Sequence, residues 1–239
     1  MRPSVAKAKL SRNEPVLVTC LHLTDPSIYE LTSLYGYDVI WMDLEHHTYS
    51  AETAATLMRS ARVGSSDIMA RPAKGEFMRM GRFLEAGAQG ILYPRCESAD
   101  EAREVVRWSK FAPMGTRGYD GGNPDAPYCT VPMQDYLRFA NQQTFIAVQI
   151  EDPRAVEDVE AIAAVPGVDV LFIGPADLSI LYGTGAATFK NMCLLREEMN
   201  LSDEEARKMV KTFRDNMPGV FAWKKRLESA YMNGTPIFS

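Results

Sequence analysis

Charged and polar side chains follow several apolar runs of this chain at the points where the runs end. Asp43 and His46 stand at the end of one run, Arg71 ends another, and Gln149 and Glu151 end a third. A buried strand interior does not favour such groups. If the runs are parallel strands, their carboxyl ends meet at one rim, where active sites of α/β barrels collect. The pattern therefore predicts a common site that combines acid–base, cationic and carboxylate groups.

The carboxylates of Glu151 and Asp177 are candidate metal ligands, since Asp177 also follows an apolar run. Mg²⁺ and Mn²⁺ take oxygen ligands, keep several waters and are often held by only one or two protein carboxylates. The alternative is that each carboxylate caps the helix that follows it. Residue types alone leave both interpretations open.

His46 is a candidate general base, because histidine exchanges protons near neutral pH. Asp43, three residues earlier, is placed to orient its ring. The alternative is an ordinary loop histidine, since the adjacent His47 has no assigned role. We expect His22, which follows the first apolar run, only to line the rim.

Arg71 ends an otherwise apolar run and must meet an anion. Its planar guanidinium suits a substrate carboxylate or an enolate oxygen, but an ion pair with Glu45 is an equal alternative. Gly174, Pro175 and Ala176 precede a predicted helix, whose free amides suit a carboxylate as well as a metal-bound group.

Lysine positions bear on the type of carbonyl chemistry. A Schiff-base enzyme needs a desolvated lysine on a strand. Every lysine of the first 180 residues lies outside the apolar runs, so covalent imine catalysis is disfavoured.

Short apolar runs alternate with segments of helical periodicity over the first 180 residues, which predicts a parallel sheet with helical crossovers. Ser98 with Glu101 forms a capping box, and Asp25 and Asp152, each followed by proline, are typical helix starts. The chain lacks GxGxxG and GxxxxGK[ST] signatures, which weakens a nucleotide-binding doubly wound sheet. We therefore expect an α/β fold of the (β/α)₈ TIM-barrel type. The predicted strands are Val16–Leu21, Asp38–Asp43, Asp67–Arg71, Gly90–Pro94, Thr144–Ile150 and Val168–Ile173.

The chain changes character after about residue 182. We treat residues 1–239 as a single barrel domain in which residues 183–239 form a divergent, mainly helical segment. A second capping box, Ser202 with Glu205, opens a charged helix, and Gly219–Trp223 and Thr235–Phe238 are the remaining strand-like pieces. They are either the last two strands of an atypical barrel or part of an appendage beside an incomplete one.

Composition narrows the class of protein. The chain has 239 residues, of which 46% are hydrophobic and 24% charged, as in a globular domain with a large core. A net charge of −5 argues against a nucleic-acid partner. No apolar stretch is long enough for a membrane span. The four scattered cysteines fit neither zinc nor disulfide spacing, so we expect a cytoplasmic protein.

Read together, the rim motifs resemble those of the HpcH/HpaI family of metal-dependent aldolases. The resemblance covers roughly Pro15 to Tyr182. Its motifs are DxEH at Asp43–His46, RP at Arg71-Pro72, LExGAQGILYP at Leu84–Pro94, SADEAR at Ser98–Arg103, GTRG at Gly115–Gly118, VQIE at Val148–Glu151 and FIGPADLS at Phe172–Ser179.

The resemblance implies a (β/α)₈ barrel in a homo-oligomer that reversibly cleaves a 4-hydroxy-2-oxo acid into pyruvate, or a similar 2-oxo acid, and an aldehyde. It implies that Glu151 and Asp177 hold Mg²⁺, Mn²⁺ or Co²⁺, and that His46, with Asp43, is the base. Arg71 would stabilise the enolate oxygen. By the same resemblance Gln149 and the amides at Gly174, Pro175 and Ala176 would bind the 2-oxo acid, and Glu85 would reach a neighbouring subunit's site.

The loop at residues 119–128 departs from the family pattern where the aldehyde half should bind, so the resemblance leaves the aldehyde open. Two other functions remain as alternatives. One is a citrate-lyase-type enzyme acting on a CoA thioester, for which Arg95, Arg117 and Arg154 would have to bind phosphates. The other is a catalytically inactive barrel that serves as a binding or assembly subunit.

Overall fold

A parallel six-stranded sheet forms the centre of the computed structural model, which describes residues 2–183. Each strand pairs in parallel with the next strand in chain order. All six predicted strands are confirmed, and their ends differ from the prediction by at most two residues. The strands are β1 Val18–Leu21, β2 Val39–Asp43, β3 Asp67–Arg71, β4 Gly90–Tyr93, β5 Phe145–Ile150 and β6 Val170–Ile173.

Helices connect successive strands. The predicted helix starts are confirmed, because the side chains of Asp25, Ser98 and Asp152 each accept a backbone N–H of the helix that follows. The helices are α1 Val5–Leu10, α2 Pro26–Leu34, α3 Ala51–Ser60, α4 Phe77–Ala86, α5 Ala99–Ser109, α6 Met133–Gln143, α7 Pro153–Glu157, α8 Val159–Ala163 and α9 Pro175–Leu181, with 3₁₀ turns at Ala61–Val63 and Pro127–Cys129.

The four inner strands, β2 to β5, are buried on both faces, which explains why they are nearly continuous apolar runs, whereas β1 and β6 at the sheet edges are only partly buried. One face packs against the helices in a cluster that includes Ile40, Ile68 and Ile91. The other face carries a separate cluster that includes Val39 and Met69. The side chains of each strand alternate between these clusters, so residues two apart share a face.

The strand order runs from β1 to β6 without the reversal that defines a doubly wound sheet. That alternative is therefore wrong for the described part of the chain, which forms a curled parallel sheet of the kind found in half of a barrel. The two remaining predicted strands, Gly219–Trp223 and Thr235–Phe238, and the capping box at Ser202 lie outside the described residues.

Among residues 2–183, no helix is both long enough and apolar enough to cross a bilayer. Cys20, Cys96 and Cys129 are free thiols, as the absence of disulfide spacing predicts. Cys193 lies outside the described residues.

Candidate active site

Four of the predicted site residues meet at the carboxyl end of the sheet. Asp43 and Arg71 are the last residues of β2 and β3 and are directly paired in the strand register. Gln149 lies near the end of β5, and Glu151 follows that strand. All four are at most 6% exposed. The parallel register thus brings together polar groups that lie as many as 108 positions apart in the chain, from Asp43 to Glu151.

Asp43 and Arg71 form a buried bidentate ion pair. Arg71 Nε donates to Asp43 Oδ1 at 3.0 Å, and Arg71 Nη2 donates to Asp43 Oδ2 at 2.7 Å. Although burial by itself would raise the pKa of Asp43, the hydrogen bonds and positive charge of Arg71 hold this pKa below its usual value. Arg71 is therefore locked in one orientation by a carboxylate that stays ionised.

The network continues from Arg71 to β5. Arg71 Nη1 donates to Gln149 Oε1 at 3.3 Å, and Gln149 Nε2 donates to Glu151 Oε2 at 2.7 Å. The guanidinium carbon of Arg71 lies 4.6 Å from the centre of the Trp41 ring, a cation–π contact. Our sequence reasoning missed Trp41, although its position two residues before Asp43 on the same strand face was a usable signal.

Glu151 is 1% exposed and is held by main-chain as well as side-chain donors. Arg95, whose φ is +49°, donates its N–H to Glu151 Oε1 at 2.8 Å. Burial and the nearby charges of Asp177 and Glu45 raise the pKa of Glu151 to about 7, against the opposing hydrogen bond from Arg95. The capping alternative is wrong for Glu151, because Asp152 caps α7.

Gly174 makes room for this carboxylate. A Cβ built on Gly174 would lie 1.9 Å from Glu151 Oε2, so no larger residue fits there without a shift. The Gly174 N–H already donates to Ile150 O at 3.1 Å, and Pro175 has no N–H. Of the predicted triplet at this turn, only the Ala176 amide remains available to a ligand, which corrects the prediction for the other two residues.

Glu45 is a site residue that our sequence reasoning treated only as a possible partner of Arg71. Its Oε2 lies 3.3 Å from Arg71 Nε, yet this buried oxygen accepts no hydrogen bond. Burial raises the pKa of Glu45, and the nearby carboxylates of Asp43 and Asp177 raise it further, while Arg71 and His46 oppose the shift. The rim therefore holds more negative charge than Arg71 alone neutralises. The signal was a second acid in the same DxEH motif.

This excess of buried carboxylate suits a hard divalent cation. Oxygen ligands for such an ion are offered by Glu151, by the unsatisfied oxygen of Glu45 and by Asp177, which is half-buried in the first turn of α9. Within residues 2–183, no group of three or more histidine, cysteine or acidic side chains is arranged to hold a metal. An ion at this rim would accordingly rely on water or substrate to complete its coordination.

His46 lies at the same rim with a side chain that is 60% exposed. Its Nε2 is 3.7 Å from Glu45 Oε2. Asp43 Oδ1 instead accepts the main-chain N–H groups of Glu45 and His46, at 3.1 and 3.3 Å. This differs from the prediction that Asp43 orients the His46 ring: Asp43 positions the turn, and Glu45 is the carboxylate nearest the ring.

Glu85 does not join the rim within one protomer. It lies in the last turn of α4, five residues before β4 begins, and so beside the amino ends of the strands. Lys110 is also buried away from the rim, where its Nζ donates to the carbonyls of Asn141 and Thr144 just before β5. Lys110 therefore lies away from the proposed site, and Lys74, whose Nζ donates to the Arg95 carbonyl after β4, is paired with Glu97 and Glu101.

Two of the three arginines considered for CoA phosphates already have other partners. The Arg117 side chain is 2% exposed and lies over the Phe111 ring. Arg154 pairs with Asp152 and Glu97. Within residues 2–183, Arg117 is therefore withdrawn from solvent, and the charge of Arg154 is already paired with two carboxylates.

The sequence of this chain matches one protein family and several of its curated members. Residues 18–220 match the family model described as HpcH/HpaI aldolase/citrate lyase. A hydroxypyruvate/pyruvate aldolase from Delftia acidovorans is 37% identical over 174 residues, which are 72% of this chain and 64% of that protein. A 4-hydroxy-2-oxo-heptane-1,7-dioate aldolase from Escherichia coli is 35% identical over 174 residues, 72% of this chain and 66% of that protein. This chain thus matches just under two thirds of the length of these two relatives.

Solved structures agree with the sequence comparisons. The HpcH/HpaI aldolase from Desulfitobacterium hafniense DCB-2 superposes on this chain with a TM-score of 0.73 at 31% identity. The superposition covers 85% of this chain and 78% of that protein. A HpcH/HpaI aldolase/citrate lyase family protein from Burkholderia cenocepacia J2315 gives a TM-score of 0.74 at 28% identity. That superposition covers 97% of this chain and 98% of that protein.

Proposed function

Because the chain belongs to the HpcH/HpaI aldolase/citrate lyase family, we propose that it is a divalent-metal-dependent aldolase. Its reaction is the reversible cleavage of a 4-hydroxy-2-oxo acid into pyruvate, or a similar 2-oxo acid, and an aldehyde. The single observation that carries the proposal is the buried network at the strand ends, in which one arginine faces several carboxylates and an exposed histidine lies alongside.

Glu151 and Asp177 would hold the ion. Oxygen ligands favour Mg²⁺ or Mn²⁺, and the family resemblance adds Co²⁺. The bound ion supplies positive charge that stabilises the negative charge developing on the carbonyl oxygen. The unsatisfied oxygen of Glu45 and the raised pKa of Glu151 support a cation at this place, since each marks carboxylate charge that the protein alone leaves poorly compensated.

Arg71 would stabilise the same developing charge from the protein side. Asp43 and Trp41 hold its guanidinium in place, and the 3.3 Å contact from Nη1 to Gln149 is the longest of its side-chain hydrogen bonds. Nη1 is thus the donor most easily shared with a substrate oxygen. Gln149 would help position the 2-oxo acid, and the Ala176 N–H would donate a hydrogen bond to its carboxylate.

His46 would act as the base that takes the proton from the C4 hydroxyl in the cleavage direction. Its ring is exposed and free to approach a substrate, while the main chain beneath it is tied to Asp43. Glu45, 3.7 Å from Nε2, would stabilise the protonated ring. Proton transfer is therefore assigned to an exposed side chain on a turn that Asp43 holds by its main chain.

The assembly is also part of the proposal. Glu85 would contribute to a site only across a subunit boundary, which requires a homo-oligomer. A fold of the (β/α)₈ type and a cytoplasmic location belong to the same proposal. The CoA-thioester lyase and the inactive binding subunit remain the rival functions.

The first test needs no knowledge of the aldehyde. Exchange of the pyruvate methyl protons with D₂O is followed by NMR, using chelator-stripped protein alone and with added Mg²⁺, Mn²⁺ or Co²⁺. We expect exchange that depends on the metal. Absence of exchange with every metal, from folded protein, would contradict the aldolase assignment and favour the rivals.

The metal ligands are tested separately by calorimetry with Mn²⁺. We expect Glu151→Gln and Asp177→Asn each to weaken the affinity, because each removes a carboxylate ligand. Wild-type affinity in both variants would refute the site.

A further inference from the structure

All three histidines of the chain lie at the carboxyl ends of β1 and β2. His46 has a place in the proposed reaction, whereas His22 and His47 do not. His22 directly follows β1, and His47 lies four residues after the end of β2. Adjacent parallel strands therefore bring these two imidazoles to the same stretch of the rim.

The two rings touch through their nitrogens. His22 Nδ1 contacts His47 Nε2 directly, with ring centroids 4.6 Å apart and an interplanar angle of 68°. The rings meet edge-on rather than stacked, so their nitrogens face each other across the gap between the two loops. One proton alone can occupy such a contact, and one nitrogen must then accept it through its lone pair.

We propose that His22 and His47 form a two-imidazole binding site for a borderline transition-metal ion such as Zn²⁺, Ni²⁺ or Cu²⁺. Two converging neutral imidazole nitrogens are preferred ligands for these ions, at metal–nitrogen distances of about 2.0–2.1 Å. As the pair opens slightly, the shared proton moves to the outer nitrogen of its own ring, or to solvent if both rings were protonated, so that each inner nitrogen presents a lone pair to the ion. Water completes the coordination.

The surroundings fit such a site. His22 is exposed and His47 half-buried, so an ion reaches both nitrogens from solvent. The Tyr49 ring lies beside His47, with centroids 6.3 Å apart, and restricts that imidazole from one side. The site differs in donor chemistry from the carboxylates of Glu151 and Asp177, which prefer hard ions. Its existence does not depend on the proposed reaction.

A bound ion would connect the loop after β1 to the loop after β2. Because an ion that binds the folded chain better than the unfolded chain stabilises it, the melting temperature should rise with added Zn²⁺. Mg²⁺ should produce no such rise through these two residues, since imidazole is a poor ligand for it.

The test is calorimetry with Ni²⁺ and Zn²⁺ on the full chain, with His22→Ala and His47→Ala as the test variants. We expect each variant to lose about tenfold or more in affinity for this site and to lose its share of the Zn²⁺-dependent rise in melting temperature. His46→Ala is the matched control, because it removes an imidazole from the same rim and should leave the affinity unchanged. Glu151→Gln should likewise keep Zn²⁺ binding at the His22–His47 site, while it weakens the binding of Mn²⁺ at the carboxylates.

A second measurement identifies the atoms. Long-range ¹H–¹⁵N spectra of a chain with three histidines resolve every ring nitrogen, and Zn²⁺ should shift His22 Nδ1 and His47 Nε2 most. Conservative His22→Asn and His47→Gln variants serve if an alanine variant fails to fold. Wild-type Ni²⁺ affinity in both test variants, or loss of binding in His46→Ala instead, overturns the proposal.

Discussion

Replacing Asp43 with Asn would remove one charge of the buried ion pair and leave Arg71 without its bidentate partner. Both side chains are at most 7% exposed. Removing one member of a buried pair typically costs about 3–5 kcal/mol, because the remaining charge stays desolvated. Glu45, 3.3 Å from Arg71 Nε, compensates in part. We therefore expect Asp43→Asn to lower the free energy of unfolding by about 3 kcal/mol, at the lower end of that range.

Urea unfolding at pH 7 measures this loss. Asp135→Asn is the matched control, since Asp135 pairs with Arg138 on the surface, where their side chains are 54% and 74% exposed. Such exposed pairs contribute less than about 1 kcal/mol. Stability of Asp43→Asn within about 0.5 kcal/mol of wild type would refute the claim that the pair is buried and energetically coupled.

The pH dependence of the free energy of unfolding independently checks the direction of the Asp43 pKa shift. The folded-state pKa of Asp43 lies below the unfolded value of 3.8, so its stabilising contribution is fully present above pH 3.8. That contribution is lost as the pH falls through the lower folded-state pKa. The stability difference between wild type and Asp43→Asn should therefore persist above that pH and narrow in stronger acid. A difference that grows on acidification would contradict the assignment.

Three further predictions concern single residues. His46→Ala should reduce aldol turnover by about 10²–10⁴-fold with unchanged Mn²⁺ affinity; unchanged turnover would remove His46 from the mechanism. Burial lowers the pKa of Lys110 from 10.5 to about 8. Between these two pH values the unfolded chain therefore binds more protons than the folded chain, and the free energy of unfolding should rise with pH. The rise should reach up to about 3 kcal/mol, since the two pKa values differ by about 2.5 and each pKa unit corresponds to about 1.36 kcal/mol. Urea titrations of Lys110→Met should lack that rise, and an equal rise would disprove it. Gly174→Ala should weaken Mn²⁺ binding, measured by calorimetry, because the new methyl group displaces the Glu151 carboxylate. Its control is Gly81→Ala inside α4, where a Cβ meets open space. That variant should raise the free energy of unfolding in urea by about 0.5–1 kcal/mol.

Part of the site could be predicted because its signals are local. Asp43, Arg71, Gln149 and Glu151 each interrupt or follow an apolar run, and parallel strands bring such ends to one edge. The partners of these groups were harder to predict. Asp43 supports the His46 main chain rather than its ring, and Glu45 carries a buried oxygen that the sequence showed only as one more acid.

The sequence by itself determined the six strands, the helix starts and the family, since each depends on residues close together in the chain or on motifs in order. Tertiary structure decided which polar groups touch: Arg71 meets Asp43 across 28 positions and Gln149 across 78. It also placed Glu85 away from the rim and brought His22 against His47. Such contacts depend on strand register and side-chain direction, and a shift of one residue would turn every side chain to the opposite face of the sheet.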